Sequence, residues 1–155
     1  MKGARRRRII RLVLLTGSPQ IDAERAFARE ARARRRAALA RRLLRVPAVC
    51  GRLAVYDERS LPRAGRPAVR EIPLDAIAGT VEPSRAKLFD GDFRPTSGAR
   101  RRWLRLWVAE HRGTVLPPIS VVRVGDAYAV RDGHHRVSVA RARGALSIDA
   151  AVEAA

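Results

Sequence analysis

Apolar and polar positions alternate with different periods along the chain, and each period predicts an element. From Ser18 to Arg45 the residues are almost all Ala, Arg and Leu, which favour a helix. Ser18 reads as its N-cap and Pro19 as its first helical position, Asp22 and Glu24 stand where the helix dipole favours negative charge, and Pro47 stops it. Its apolar stripe is thin, with Phe27, Ala31, Ala38, Leu39 and Leu43 as candidates, so most of its circumference is predicted to be wet and cationic. Pro47, Gly51, Pro62, Gly65 and Pro67 mark residues 46–68 as a connector, with a short strand near Leu53 to Tyr56. Val69 to Leu74 suits a strand, Asp75 to Ile77 a turn leading to Gly79, and Glu82 to Arg85 a loop closed by Pro83. Gly98 to His111 has helical spacing, with Trp103 and Trp107 at i, i+4 as core residues and Arg100, Arg101, Arg102 and Arg105 on a basic face. Ile119 to Val124 and Ala127 to Arg131 form a hairpin through Gly125-Asp126, glycine first as a type II′ turn prefers. A short helix ending at Gly144 and a strand from Ser147 to Val152 follow.

This order predicts an α/β (α+β) fold: a small mixed sheet flanked by helices, preceded by a long basic helix. Residues 1–45 form the basic arm, 46–68 the connector and 69–155 the compact domain. The net charge of +18 and pI near 11.8 favour polyanionic partners, although a GC-rich genome also over-supplies Ala and Arg. Residues 1–45 hold fifteen Lys and Arg against three acids, so twelve of the eighteen net charges lie in the arm. Arg5, Arg6, Arg7, Arg8, Arg34, Arg35, Arg36, Arg41 and Arg42 are its candidate nucleic-acid contacts, gripping phosphates without reading bases. A solvated helix packed by one edge against the domain accounts for the same pattern. The run Ile9 to Leu15 is short and broken by Arg11, so neither a signal peptide nor a membrane span is predicted. The single cysteine, Cys50, fits a reducing cytoplasm.

The densest chemistry is Asp132-Gly133-His134-His135-Arg136. A strand that turns through glycine into a helix leaves the first N–H groups of the helix unpaired at the positive end of its dipole, a ready anion site. Arg136 would add a planar fork suited to phosphate, and the two imidazoles can donate, accept or shuttle protons. A purely structural account also exists, with Asp132 as an N-cap and Gly133 relieving a tight turn. Adjacent histidines rarely chelate one ion alone, so no metal site is predicted.

The run from Leu116 to Val152, with Glu71 to Ile77 and Glu82-Pro83-Ser84-Arg85 upstream, resembles the ParB/sulfiredoxin superfamily over about residues 69–152. It looks most like small bacterial ParB-like proteins carrying the same Asp-Gly-His-His-Arg motif, whose aromatic pattern is also similar to Phe89-Asp90, Phe93-Arg94-Pro95 and Arg102-Trp103. The resemblance implies a nucleotide-binding domain holding a nucleoside di- or triphosphate, CTP or ATP with Mg²⁺, through Arg85, Gly133, His134, His135, Arg136 and Ser138. Sulfiredoxins have a nucleophilic cysteine where this chain has His134, so sulfinic acid reduction is not expected. Chromosome-partitioning ParB proteins have Gly-Glu-Arg-Arg at the motif, where this chain has His134 and His135, and continue into a helix-turn-helix that is not expected here after Val152. A non-enzymatic DNA-associated regulatory or partition accessory role stays open, as does a homodimer. Free serine kinases carry Asp-Gly-His-Thr-Arg, and by that likeness Asp132 and Glu82 would be the catalytic pair of an ATP- or ADP-dependent phosphotransferase.

Overall fold

Among the described residues six strands meet in one mixed sheet, and what each strand buries explains its place in it. The computed structural model describes residues 16–61 and 65–153. The strands are β1 (Ala54–Val55), β2 (Ala68–Pro73), β3 (Ile77–Thr80), β4 (Ile119–Val124), β5 (Ala127–Asp132) and β6 (Ser147–Glu153), and their spatial order is β1-β3-β5-β4-β6-β2. β4 and β5 pair antiparallel across the predicted hairpin, as do β6 and β2, whereas β1 with β3, β3 with β5 and β4 with β6 are parallel. Gly125 has φ 59° and Asp126 does not share the positive φ, the signature of type II′. Alternation works as the pattern required: Ile119, Val121 and Val130 enter the main core, while Val122 and Ala129 point to the other face, beneath Tyr56 and Leu61.

The turn expected near Asp75 is present as a 3-10 turn, Leu74–Ala76, and β3, which the pattern did not predict, follows it through Gly79. Its four residues are too few and too small to show a period, and tertiary pairing decides them. Gly79 is required by proximity, because a Cβ there would lie 2.8 Å from Tyr56 Cε2 and collide with the Ala54 carbonyl of β1.

The described residues include four α-helices: α1 (Pro19–Leu43), the single turn α2 (Pro83–Ala86), α3 (Arg100–His111) and α4 (His134–Ala142). Among the described residues no helix is long and apolar enough to cross a membrane. The layers run α1 on α3 on α4 on sheet. Trp103 and Trp107 are core residues as their spacing indicated, stacked at 5.3 Å, with Phe27 of α1 edge-on to Trp103 at 5.5 Å. The Trp103 indole donates to Ser138 Oγ at 2.9 Å, which satisfies its polar tip in the interior.

The apolar stripe of α1 keeps Phe27 and Ala31 of the predicted residues but runs toward the start of the helix instead of its end. Ala23, Ala26 and Phe27 are buried against the tryptophans and Ala31 is half-buried, but Leu39 and Leu43 are 55% and 75% exposed, and Ala38 is exposed too. Small residues let the first half of the helix approach α3, and only that half has bulky indoles facing it. Ser18 has extended backbone but its hydroxyl makes no cap. Instead Asp22 is buried and accepts from Thr16 N at 3.0 Å and Thr16 Oγ1 at 2.9 Å; the Thr16 backbone N–H holds its carboxyl below the usual range. The arginines at 5–8 and the apolar run at 9–15 lie outside the described residues.

Truncating a stacked, fully buried indole leaves a large cavity, so Trp103→Ala should cost ~4 kcal/mol. Leu39→Ala should stay within about 0.5 kcal/mol. Urea unfolding of the two variants checks the difference.

Candidate functional site

The strand-to-helix junction at Gly133 imposes the local geometry. β5 ends at Asp132, Gly133 takes φ 105°, and α4 begins at His134. Glycine is demanded twice, because the left-handed φ disfavours any L side chain and a Cβ would lie 2.8 Å from Ile119 Cβ on β4. This close approach puts the start of the helix deep in the fold. His134 through Ala140 are all buried, between the sheet and α3.

Asp132 does not cap the helix. Gly133 stands at the N-cap position without a side-chain bond, and Asp132 Oδ2 accepts from Arg136 Nη2 at 2.9 Å, on a side chain 69% exposed. Nor is Arg136 a free fork aimed at solvent. Its Nη1 donates to the carbonyls of Pro118 at 2.9 Å and of Pro117, so the guanidinium clamps the segment before β4 to α4. Burial pulls its pKa down and the Asp132 carboxylate opposes that shift. Ser138 faces the core and holds the Trp103 indole.

The two imidazoles are buried and neutral. Burial pushes His134 down to about 4, helped by the positive charge of Arg85; burial also pushes His135 down to about 4, helped by Arg102 and then Arg85. His134 Nε2 lies 2.7 Å from Thr80 Oγ1. That hydroxyl also accepts from Glu82 N at 2.8 Å and reaches the Val130 carbonyl at 3.0 Å. Its single proton goes to Val130, leaving His134 protonated on Nε2, or to His134, leaving the ring protonated on Nδ1. His135 is 7% exposed, and neither of its ring nitrogens bonds another described residue. Phe89 supports both rings, stacked on His134 at 6.4 Å and edge-on to His135 at 5.1 Å. Phe89 is held in turn by a tight loop in which Asp90 Oδ1 accepts from Asp92 N at 3.0 Å and Arg94 N at 2.9 Å, and Phe93 takes φ 59°.

Arg85, Arg102, Leu106 and residues 132–136 enclose a hollow of about 30 Å³. Of the predicted site residues it therefore unites Arg85, Asp132, Gly133, His134, His135 and Arg136; Glu82 and Ser138 do not line it. Arg102 is the addition. The sequence displayed it only as one of four cations on α3, and the helix phase that turns it to the hollow depends on which face the tryptophans bury. Arg85 and Arg102 are exposed, and neither side chain bonds or ion-pairs with a described residue. The site thus presents two cations and one carboxylate oxygen, Asp132 Oδ1, without a bond to a described residue, and a His135 ring whose nitrogens make no hydrogen bond to one, around a space the size of a water. Among the described residues no cluster of three His, Cys, Asp or Glu is arranged to hold a metal ion. Of the arm arginines, Arg35, Arg36 and Arg42 are exposed, while Arg34 and Arg41 are half-buried facing residues 48–52.

No protein-family profile and no curated protein matches the chain. Among solved structures, sulfiredoxin from Arabidopsis thaliana is similar over 57% of this chain and 88% of that one, at 20% identity and a TM-score of 0.43.

Because both imidazoles titrate near 4 in the fold against about 6.5 in an unfolded chain, the unfolded state binds more protons between those values. Their contribution to stability is complete above pH 6.5 and is lost as pH falls toward 4. The urea midpoint should therefore drop from pH 7 to pH 5, and more steeply in the wild type than in His135→Asn.

Proposed function

We propose that this is a nucleotide-binding domain of ParB/sulfiredoxin type, holding the phosphoryl end of a nucleoside di- or triphosphate at the Gly133 junction. The observation that carries the reading is the convergence of unpaired Arg85 and Arg102 on the buried start of α4, where neutral imidazoles line the floor. A hollow of about 30 Å³ admits a terminal oxygen, not a nucleotide. The rest of the ligand lies across the mouth, where the two exposed arginines close on it. Arg136 keeps its clamp on Pro117 and Pro118, and so shapes the junction rather than grasping phosphate. Asp132 is the residue that would help to hold a Mg²⁺ accompanying the nucleotide, the phosphates supplying the remaining charge, a sparse protein share that suits this ion. CTP and ATP are the two nucleotides to compare.

The phosphotransferase alternative draws on the exposed Asp132 beside the same hollow, but its partner Glu82 does not line that space. Binding without group transfer is the simpler use of the geometry. Exposed Arg35, Arg36 and Arg42 on α1 make no ion pair with a described residue, and this supports non-specific attraction to DNA or RNA from that helix. A DNA-associated accessory role in the cytoplasm follows from combining the two, with exposed Cys50 kept as a thiol.

Thermal shifts against CTP, ATP and ADP, with and without Mg²⁺, should show stabilisation that rises with ligand concentration. Each charge-assisted contact is worth ~1.5–3 kcal/mol, so Arg85→Gln with Arg102→Gln should weaken binding at least about tenfold. Unaltered affinity in that double variant would exclude the site. Asp132→Asn should keep affinity for the nucleotide alone; abolished turnover with intact binding would instead establish the enzyme. Separately, replacing Arg35, Arg36 and Arg42 together by Gln should reduce the salt slope of DNA binding by about 2–3.

A further inference from the structure

A second cationic cavity lies on the other side of α2 from the junction. It is about 670 Å³, walled by α1 on one side and by α2 with the 48–55 segment on the other. Four cations line it: Arg34 and Arg41 from α1, Arg52 from the connector and Lys87 just after α2. None of these four side chains forms a hydrogen bond or ion pair with a described residue, and Arg34 Nε is buried without an acceptor. The carboxylate on the lining, Asp90, is already committed, with one oxygen on two backbone N–H groups and the other 3.3 Å from Arg94 Nη1. The floor is apolar, built from buried Leu53 and Phe89 and from Val55.

Gly51 is part of the arrangement. The Arg41 guanidinium lies against it, in space that any Cβ would occupy. Gly51 O also accepts from Gly91 N at 3.0 Å, and Arg52 bridges to Asp90, so the segment carrying Arg52 is tied to the loop that holds Phe89. The cations are thereby presented from fixed backbone rather than from a loose tail.

We propose that this cavity binds a small organic phosphate with a flat apolar body. A half-buried arginine with an unmet N–H is costly unless something accepts from it, and four like charges facing one space repel until a polyvalent anion enters. A monovalent carboxylate leaves most of that charge unanswered, whereas a phosphate dianion takes two guanidinium forks at once. The volume lies within the range of about 300–1,000 Å³ usual for small-ligand pockets. An apolar floor serves no purpose for a bare phosphate, and a nucleic-acid backbone would set its phosphates along a surface instead of over Leu53 and Phe89. The site shares no lining residue with the junction hollow, so it stands or falls independently of the nucleotide reading.

Calorimetry with 1-naphthyl phosphate, 1-naphthol and inorganic pyrophosphate tests it at physiological ionic strength. The naphthyl phosphate should bind at least about tenfold more tightly than either of the others, since it alone meets both the cations and the floor. Arg52→Gln with Lys87→Gln, two exposed positions whose loss leaves the fold intact, should reduce that affinity about tenfold or more. The Arg35→Gln, Arg36→Gln pair removes the same charge from outside the cavity and should leave it within about threefold. Arg85→Gln with Arg102→Gln should likewise leave it unchanged. No binding by the wild type, equal loss in the Arg35, Arg36 pair, or loss only in the Arg85, Arg102 pair would each overturn the proposal, the last by moving the ligand to the junction.

Discussion

The structure depends on the contact between Gly133 and Ile119. A strand in the middle of a sheet has to become a helix within one residue while both stay buried, and only a residue without a Cβ, at φ 105°, lets β5 turn that closely past β4. Everything at the site follows from that depth. The helix start cannot face open water, so its first side chains must find partners inside. His134 meets Thr80, Ser138 meets Trp103, and Arg136 meets Asp132 and two proline carbonyls. A buried guanidinium is tolerated because its planar fork has acceptors on either side. The clamp returns something to the fold: it fixes the Pro117-Pro118 segment, which sets where β4 begins and so where Ile119 presses on Gly133.

Electrostatics divides the molecule into two zones. Inside the junction the imidazoles are neutral, because burial and the nearby arginines both disfavour a further proton. Outside it the cations are exposed and mostly unpaired, as an excess of +18 makes unavoidable. Several acids are committed to arginines: Glu24 to Arg100, Glu110 to Arg143, and Glu58 and Glu153 together to Arg131. Of the arginines without an acid among the described residues, Arg85 and Arg102 stand at the junction mouth and Arg34, Arg41 and Arg52 line the cavity under α1, while others such as Arg35, Arg36 and Arg42 face solvent.

Period and turn chemistry were legible wherever local and tertiary preferences agree. The helix after Pro19, the indole pair, the Gly125-Asp126 hairpin and the last strand all appear close to where their patterns place them. The misses have a common cause in long-range contact. β3 is a strand because β1 and β5 flank it, not because Ile77 to Thr80 alternates. Leu39 and Leu43 look like a stripe but are exposed among the described residues, while Ala23 and Ala26 look like filler and pack with the tryptophans. The site residues were named from density and resemblance, and six of them do share one hollow. Their orientations could not be read, since which way Arg136 points is settled by carbonyls 18 and 19 residues away.

The loop from Phe89 to Pro95 positions a ring that borders both cationic spaces. Asp90 closes the turn on two backbone N–H groups, Phe93 is driven into a left-handed conformation that bulky residues avoid, and the result is to seat Phe89 against both imidazoles. Phe89 also forms part of the floor of the larger cavity. One ring therefore separates the two cationic spaces, with neutral histidines on one side and four unpaired cations on the other. Strain in the loop is held by the burial of Phe93, which is 1% exposed, and by Arg141 over its ring at 5.1 Å. Arg141 in turn donates to the Leu74 and Ile77 carbonyls at 2.8 and 3.0 Å, so the partition between the sites is braced by the segment that leads into β3.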